Sequence, residues 1–215
     1  MRIDAENLSF AYPEAGFRLD GVSFYVESGE SVAITGRNGS GKTTLGKLLC
    51  GLLKPQGGRV LFDGEDTSGW SLPRRGKRIG YLFQEPSKQL FAPAVMEELT
   101  FTQELMGTPA DEAARRAYEV LSRFDLSKLA SQGTYTLSRG EKQRLAICGL
   151  LLHSPEALVL DEPTTGLDKR RGELLAEAIR ECLSGGVSVI MISHDREFVK
   201  NNASREIRLE DGKVV

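Results

Sequence analysis

Between Ser31 and Leu49 the chain passes from an apolar run, through a loop with three glycines, into a run of helix formers. The loop reads Gly36-Arg37-Asn38-Gly39-Ser40-Gly41-Lys42-Thr43, and Thr44 follows it. Glycines let such a loop wrap an anion with its backbone N–H groups turned inward. The N-terminus of the following helix adds a partial positive charge. Lys42 brings a full positive charge, and the Thr43 hydroxyl can bind a divalent cation. This is the P-loop pattern in the setting it requires, with a strand before and a helix after. The alternative is a glycine-rich turn that holds no ligand. The loop also constrains the fold, because ligands of open α/β sheets collect at the carboxyl ends of the strands.

The 215 residues suffice for one α/β domain with a small inserted subdomain. Hydrophobic residues make up 40% and charged residues 27%, ordinary values for a globular chain, and the formal net charge of -2 argues against bulk nucleic-acid binding. The cluster Arg74-Arg75-Gly76-Lys77-Arg78 is short and lacks interleaved aromatics, so it reads as a solvated face. Cys50, Cys148 and Cys182 are far apart in apolar surroundings, as reduced core thiols would be. No apolar run is long enough to span a bilayer, and Met1-Arg2-Ile3-Asp4 opens no signal-peptide pattern. Any membrane contact is therefore expected to be peripheral, through a partner.

Up to about residue 35 the chain alternates apolar and polar residues between turns, which predicts antiparallel strands. Strands follow at Ser31 to Thr35, Arg59 to Asp63 and Ile79 to Phe83, with a helix from Lys42 to about Leu49. From about Pro93 to Leu152 helix formers dominate, with helical spacing over Met96 to Met106 and Glu112 to Phe124. Strands return at Ala157 to Leu160 and Val187 to Ile192, around a helix from roughly Gly172 to Leu183, and Asp211-Gly212 marks a closing hairpin. The order predicts an α/β fold: a P-loop NTPase with a RecA-like parallel-sheet core, N-terminal antiparallel strands and an inserted helical subdomain. The chain reads as a single domain, 1–215, with a core of about 1–92 and 153–215 and a helical part of about 93–152.

Two further strands end in chemistry. Ala157 to Leu160 runs into Asp161-Glu162. Side chains alternate along a strand, so two adjacent acids can take two tasks: Asp161 holding Mg²⁺, and Glu162 polarising a water as general base. Alone, the pair reads equally well as solvated acids. Val187 to Ile192 ends in Ser193-His194-Asp195. His194, at the same sheet edge, is a candidate to contact a γ-phosphate or water, although a lone histidine after a strand is more often structural. His153 receives no function.

P-loops occur in kinases, GTPases and motor proteins, so these strand ends do not choose among them. Leu137-Ser138-Arg139-Gly140-Glu141-Lys142-Gln143 resembles the LSGGQ signature of ABC ATPases. Read locally, the same stretch is a capping box with Ser138 as N-cap, and both readings can hold together. Tyr12 resembles the A-loop aromatic that stacks on adenine, Gln84 the Q-loop glutamine that contacts Mg²⁺ and the attacking water, Thr165-Gly166-Leu167-Asp168 the D-loop, and His194 the switch histidine. The resemblance spans nearly the whole chain. It implies ATP and Mg²⁺ as cofactors, with Tyr12, Gly36, Arg37, Asn38, Gly39, Ser40, Gly41, Lys42, Thr43 and Thr44 on the nucleotide. It further implies Ser138, Gly140 and Glu141 on the nucleotide of a partner, Thr43, Gln84 and Asp161 around the metal, and Glu162, His194 and Gln84 in catalysis.

The stretch from Phe83 through Gln89-Leu90-Phe91-Ala92-Pro93 to Val95 is similar to the energy-coupling factor (ECF) and cobalt-type ATPases, in which it faces the membrane partner. That implies a cytoplasmic ATPase, peripheral on the inner face of the cell membrane, energising import of a vitamin or a transition-metal ion. Its partners would be a second ABC ATPase subunit, identical or paralogous, and an integral membrane transporter subunit; no nucleic acid is expected. The other reading is a soluble ABC ATPase of a cytosolic assembly, such as iron–sulfur cluster biogenesis. A small-molecule kinase gives the signature no role. Arg139 departs from the family's usual glycine, and Glu141 from its common glutamine. If Lys42 carries the phosphate charge, Lys42→Ala should weaken ATP binding by roughly 10- to 100-fold in calorimetry, as loss of a charge-assisted hydrogen bond does; unchanged affinity would contradict the assignment.

Overall fold

The computed structural model describes residues 1–13 and 18–215. The backbone divides into two compact units. The first comprises Met1–Tyr81, Pro155–Pro163 and Ala178–Val215, and the second Leu82–Ser154 and Thr164–Glu177.

The first unit opens with β1 (Ile3–Ala11) and β2 (Arg18–Val26), which pair antiparallel, Ile3 opposite Val26 and Ala5 opposite Phe24. Then come β3 (Ser31–Thr35), α1 (Lys42–Leu49), β4 (Gly57–Phe62), β5 (Glu65–Asp66), α2 (Leu72–Gly76) and β6 (Ile79–Leu82). The chain continues with α3 (Val95–Leu105), α4 (Ala110–Arg123), α5 (Arg139–Leu152), β7 (Ala157–Asp161) and α6 (Lys169–Ser184). It closes with β8 (Ser188–Ile192), α7 (Arg196–Asn202), β9 (Arg205–Glu210) and β10 (Lys213–Val214).

A four-stranded sheet has the order β2-β1-β4-β5, and a six-stranded sheet the order β10-β9-β3-β8-β7-β6. In the larger sheet β3 pairs parallel with β8 and β9, and β7 parallel with β8. Every residue of β7 and β8 is buried, as is β3 up to Thr35. That is why these strands read as unbroken apolar runs rather than alternating ones.

Alternation governs β1, but it slips once. Ile3, Ala5 and Leu8 are buried, so the inward phase shifts by one residue after Ala5. The register shifts there, with Asn7 at φ 50°, and β1 also loses register against β4 between Glu6 and Ser9. This is a β-bulge, and it faces Gly58, at φ 75°. A Cβ on Gly58 would lie 2.2 Å from the Glu6 carbonyl oxygen and 2.3 Å from that of Asn7.

Some boundaries moved. The strand predicted at Arg59 to Asp63 begins at Gly57 and stops at Phe62, because Asp63 turns to φ 50°. The helix expected from Gly172 begins at Lys169. Asp168 accounts for the earlier start: its carboxylate accepts the Arg171 N–H at 2.9 Å, as an N-cap does.

In the second unit α3, α4 and α5 pack on one another. Ala113, Ala117 and Leu121 line up one turn apart and are fully buried, joined in the core by Leu99, Phe124 and Leu145. Among the described residues no helix is long and apolar enough to cross a membrane. Cys50 and Cys148 are buried free thiols, and burial pushes both up from their ordinary pKa.

The bulge gives a stability test. Gly58→Ala should cost at least about 2 kcal/mol in chemical denaturation, combining left-handed strain with a backbone clash. Gly64→Ala, also at positive φ but with nothing within 4 Å of its Cβ, should cost only about 1 kcal/mol from strain. Equal costs would mean that the bulge contact contributes nothing.

Candidate active site

The first unit brings together the ends of β3, β7 and β8. Ile34 and Asp161 both pair with Ile192, so the three strands finish at one level. Gly36 leaves β3 at φ 145°, and a Cβ there would meet the Leu209 carbonyl oxygen at 2.1 Å, so β9 holds the start of the loop. Lys42 is buried, and its Nζ donates to the carbonyls of Gly36 at 2.9 Å and Arg37 at 3.0 Å. Those partners are neutral, so they orient the ammonium without neutralising it. The Ser40 hydroxyl is also buried and has no hydrogen-bond partner among the described residues. A buried cation on neutral carbonyls and a buried hydroxyl in need of an acceptor fit a polyphosphate.

Asp161 is 1% exposed. The Tyr81 hydroxyl donates to its Oδ2 at 2.9 Å, and the Thr43 hydroxyl to its Oδ1 at 3.2 Å. Burial pushes its carboxyl above the ordinary range, while those two hydrogen bonds pull the other way. A hydroxyl and a carboxylate side by side are the hard oxygen donors that suit Mg²⁺.

Glu162 follows directly but points elsewhere. Strand alternation is not the cause, because β7 has already ended: Glu162 sits at φ 52°, held by its N–H to the Ile192 carbonyl at 2.8 Å. His194 reaches it from the end of β8, with Nδ1 2.8 Å from Glu162 Oε2 and a longer N–H contact of 3.4 Å to the same oxygen. A carboxylate accepts only, so Nδ1 carries the proton in the neutral ring. The His194 side chain is 74% exposed while that of Glu162 is 10% exposed. Beside them lies a cleft of about 730 Å³ whose lining includes Gly36, Arg37, His194, Arg196 and Lys200. Tyr12 is half-buried at the end of β1, its ring 4.9 Å from that of Phe10 and edge-on.

The second unit carries the remaining candidates. Ser138 caps α5: its hydroxyl accepts the Glu141 N–H at 3.4 Å, and Glu141 Oε2 accepts the Ser138 N–H at 2.7 Å. The hydrogen bonds from Ser138 hold the Glu141 carboxyl below its ordinary range. Gly140 lies against the D-loop, where an added Cβ would meet the Gly166 carbonyl oxygen at 2.6 Å. Arg139 is exposed, as is Gln84. In the segment that follows, Phe91 is 63% exposed but Leu90 is half-buried, so only one of the adjacent apolar pair is presented. The exposed ring of Phe101 meets that of Phe91 edge-on at 5.5 Å between centroids.

Tyr81 was missed by the sequence reading. It looks like one more core residue of an apolar strand, and its partner lies 80 positions away.

The model of the ABC transporter family matches residues 19–165, and an AAA domain model also matches residues 134–200. The energy-coupling factor transporter ATP-binding protein EcfA of Methanothermobacter thermautotrophicus is 40% identical over 215 residues, covering 99% of this chain and 69% of its own. Longer ABC relatives are matched over 34–38% of their length. Among solved structures, cbiO1 from Clostridium perfringens, part of the ABC transporter complex cbiONQ, superposes with a TM-score of 0.84 at 33% identity, over 99% of this chain and 86% of its own. The ATP-binding cassette MJ0796, in a dimeric post-hydrolysis state bound to ADP and Pi, gives 0.89 at 27% identity, over 99% and 96%. With the strand-end geometry and these relatives in agreement, the chain belongs to the ABC transporter family and is one of its ATPases.

Proposed function

We propose that this chain is the ATP-hydrolysing subunit of an energy-coupling factor type importer for a vitamin or a transition-metal ion. It would work in a pair with an identical or paralogous ATPase and attach to the membrane through an integral partner. The observation that carries the catalytic half is the separation of the two acids: Asp161 is bound inward by Thr43 and Tyr81, and Glu162 is turned toward His194. The names of EcfA and cbiO1 support the transport half. So do the exposed rings of Phe91 and Phe101, which form an apolar pair of the kind that marks a protein contact.

In this reading Lys42, the loop N–H groups and the Ser40 hydroxyl bind the β- and γ-phosphates. Thr43 and Asp161 hold Mg²⁺, and when bound the ion offsets phosphate charge. Glu162 draws a proton from the attacking water, and His194 Nδ1–H fixes the orientation of Glu162 through Oε2. Tyr12 stacks on the adenine. Ser138 and Gly140 act on the partner's nucleotide, so the closed pair forms only with γ-phosphate present, and its hydrolysis reopens the pair. The work of the site is positioning and charge stabilisation.

Glu162→Gln should keep ATP affinity, slow turnover by roughly 10²- to 10⁴-fold and accumulate an ATP-dependent dimer in size-exclusion chromatography. Normal turnover would remove Glu162 from the base role. Affinity purification from detergent-solubilised membranes should retain an integral membrane protein in stoichiometric amount. Retention of soluble proteins alone would favour the cytosolic-assembly reading.

A further inference from the structure

The loop that presents Phe91 is fastened on both sides, and the two fastenings lie entirely within the second unit. On one side Glu98 Oε2, on α3, accepts the N–H groups of Phe91 at 2.9 Å and Ala92 at 2.7 Å. Glu98 lies three residues before Phe101, so one helix turn carries both the anchor of the first aromatic ring and the second ring itself. On the other side lies the stretch that leads into the signature. The buried Thr134 hydroxyl donates to the Ala92 carbonyl at 2.6 Å, and its N–H to the Pro93 carbonyl at 3.0 Å. Ala94 bridges Gly133 in antiparallel fashion, and the N–H groups of Val95 and Met96 reach the carbonyls of Gln132 at 3.0 Å and Ala130 at 3.2 Å.

Thr134 then opens a single 3₁₀ turn, Thr134–Thr136. The Thr136 hydroxyl closes that turn on the Gly133 carbonyl at 2.7 Å, and Leu137 after it is buried at 6% exposure. Ser138 follows directly as the N-cap of α5. Three residues therefore separate Thr134 from the signature serine, and a turn with its own hydrogen bonds and a buried leucine stiffens them. The path from the Phe91 loop to Ser138 is therefore short and hydrogen-bonded.

We propose that Thr134 is a positioning residue for hydrolysis: its hydroxyl locks Ala92 to the turn that leads into Ser138, so that the docking aromatics and the signature serine move as one body. Glu98 is the second lock, holding the same loop from the other side. The inference deepens the reading above, since it takes Phe91 and Phe101 as the docking pair and Ser138 as a nucleotide contact. Thr134 is buried and acts through Ala92 and Leu137.

The test is a double-mutant cycle on the purified chain, read at the backbone amides of Thr136 to Glu141 by NMR. Phe91→Ala should shift these amides in the wild-type background and leave them nearly unmoved in Thr134→Val, with Thr134→Ser restoring the response. ATP turnover supplies a second readout. Thr134→Val should lower kcat about tenfold with KM for ATP within about twofold, because a small misplacement remote from the chemistry slows the step more than it weakens binding; Thr134→Ser should recover most of the rate. If Thr134→Val does not fold, Glu98→Ala serves as the second background, freeing the Phe91 and Ala92 N–H groups while leaving Thr134 in place, with the same outcome expected. A wild-type kcat in the folded variant overturns the proposal. So does a Phe91→Ala response of equal size in both backgrounds, or none at all in the wild type. The amide cycle needs no membrane protein, so its result is separate from whether one co-purifies.

Discussion

The parallel pairing of β3, β8 and β7 decides what the first unit can do, because it sets the level at which three strands stop. Each strand hands the chain to a different chemical group: β3 to the glycine loop, β7 to Asp161 and Glu162, β8 to His194. A slip of one residue in β7 would carry Asp161 to the other face of the sheet, away from Thr43 and Tyr81. The burial of these strands guards against such a slip, since every residue of β7 and β8 would have to be repacked. Burial also makes Asp161 demanding, because a carboxylate out of water must be met by donors, and two hydroxyls meet it here.

Much of this was legible in the chain before folding. The P-loop, the apolar strands and the acid pair are local patterns, and local patterns survive in a linear string. Ser138 and Glu141 were also readable, since a capping box is a spacing of three residues. What stayed hidden depends on distance along the chain or on backbone angle. Nothing around Tyr81 announces that it will face Asp161. Nothing in Asp161-Glu162 says that the second acid will leave the strand through a left-handed turn. The bulge at Glu6 and Asn7 was hidden because it takes Gly58, on another strand, to accommodate it. That Leu90 is half-buried while Phe91 is exposed was hidden too, because sequence adjacency says nothing about which side chain the packing will cover. Nothing around Thr134 announces that its hydroxyl reaches a carbonyl 42 positions earlier.

The second unit solves a different problem. It has to present apolar rings outward and a polar helix cap elsewhere while staying rigid between them. Fully buried small residues such as Ala113 and Ala117 let its helices approach closely, and main-chain hydrogen bonds from 93–96 to 130–134, with the Thr134 hydroxyl on the Ala92 carbonyl, tie its two irregular stretches together. Rigidity in a loop is expensive when it depends on packing alone; here hydrogen bonds between backbone groups and from the side chains of Thr134 and Glu98 provide it, and they give direction as well as strength.

The contrast between the units has a thermal corollary. Strands buried on both faces belong to the part of a fold that opens only with the whole, whereas exposed rings and helix ends fray first. Asp161 and His194 are mounted on the former, and Phe91, Phe101 and Leu105 on the latter. On warming, such a molecule would loosen its exposed rings first, and the signature serine with them through the stretch that Thr134 ties to Ala92, while Asp161 and His194 stayed in place at the strand ends.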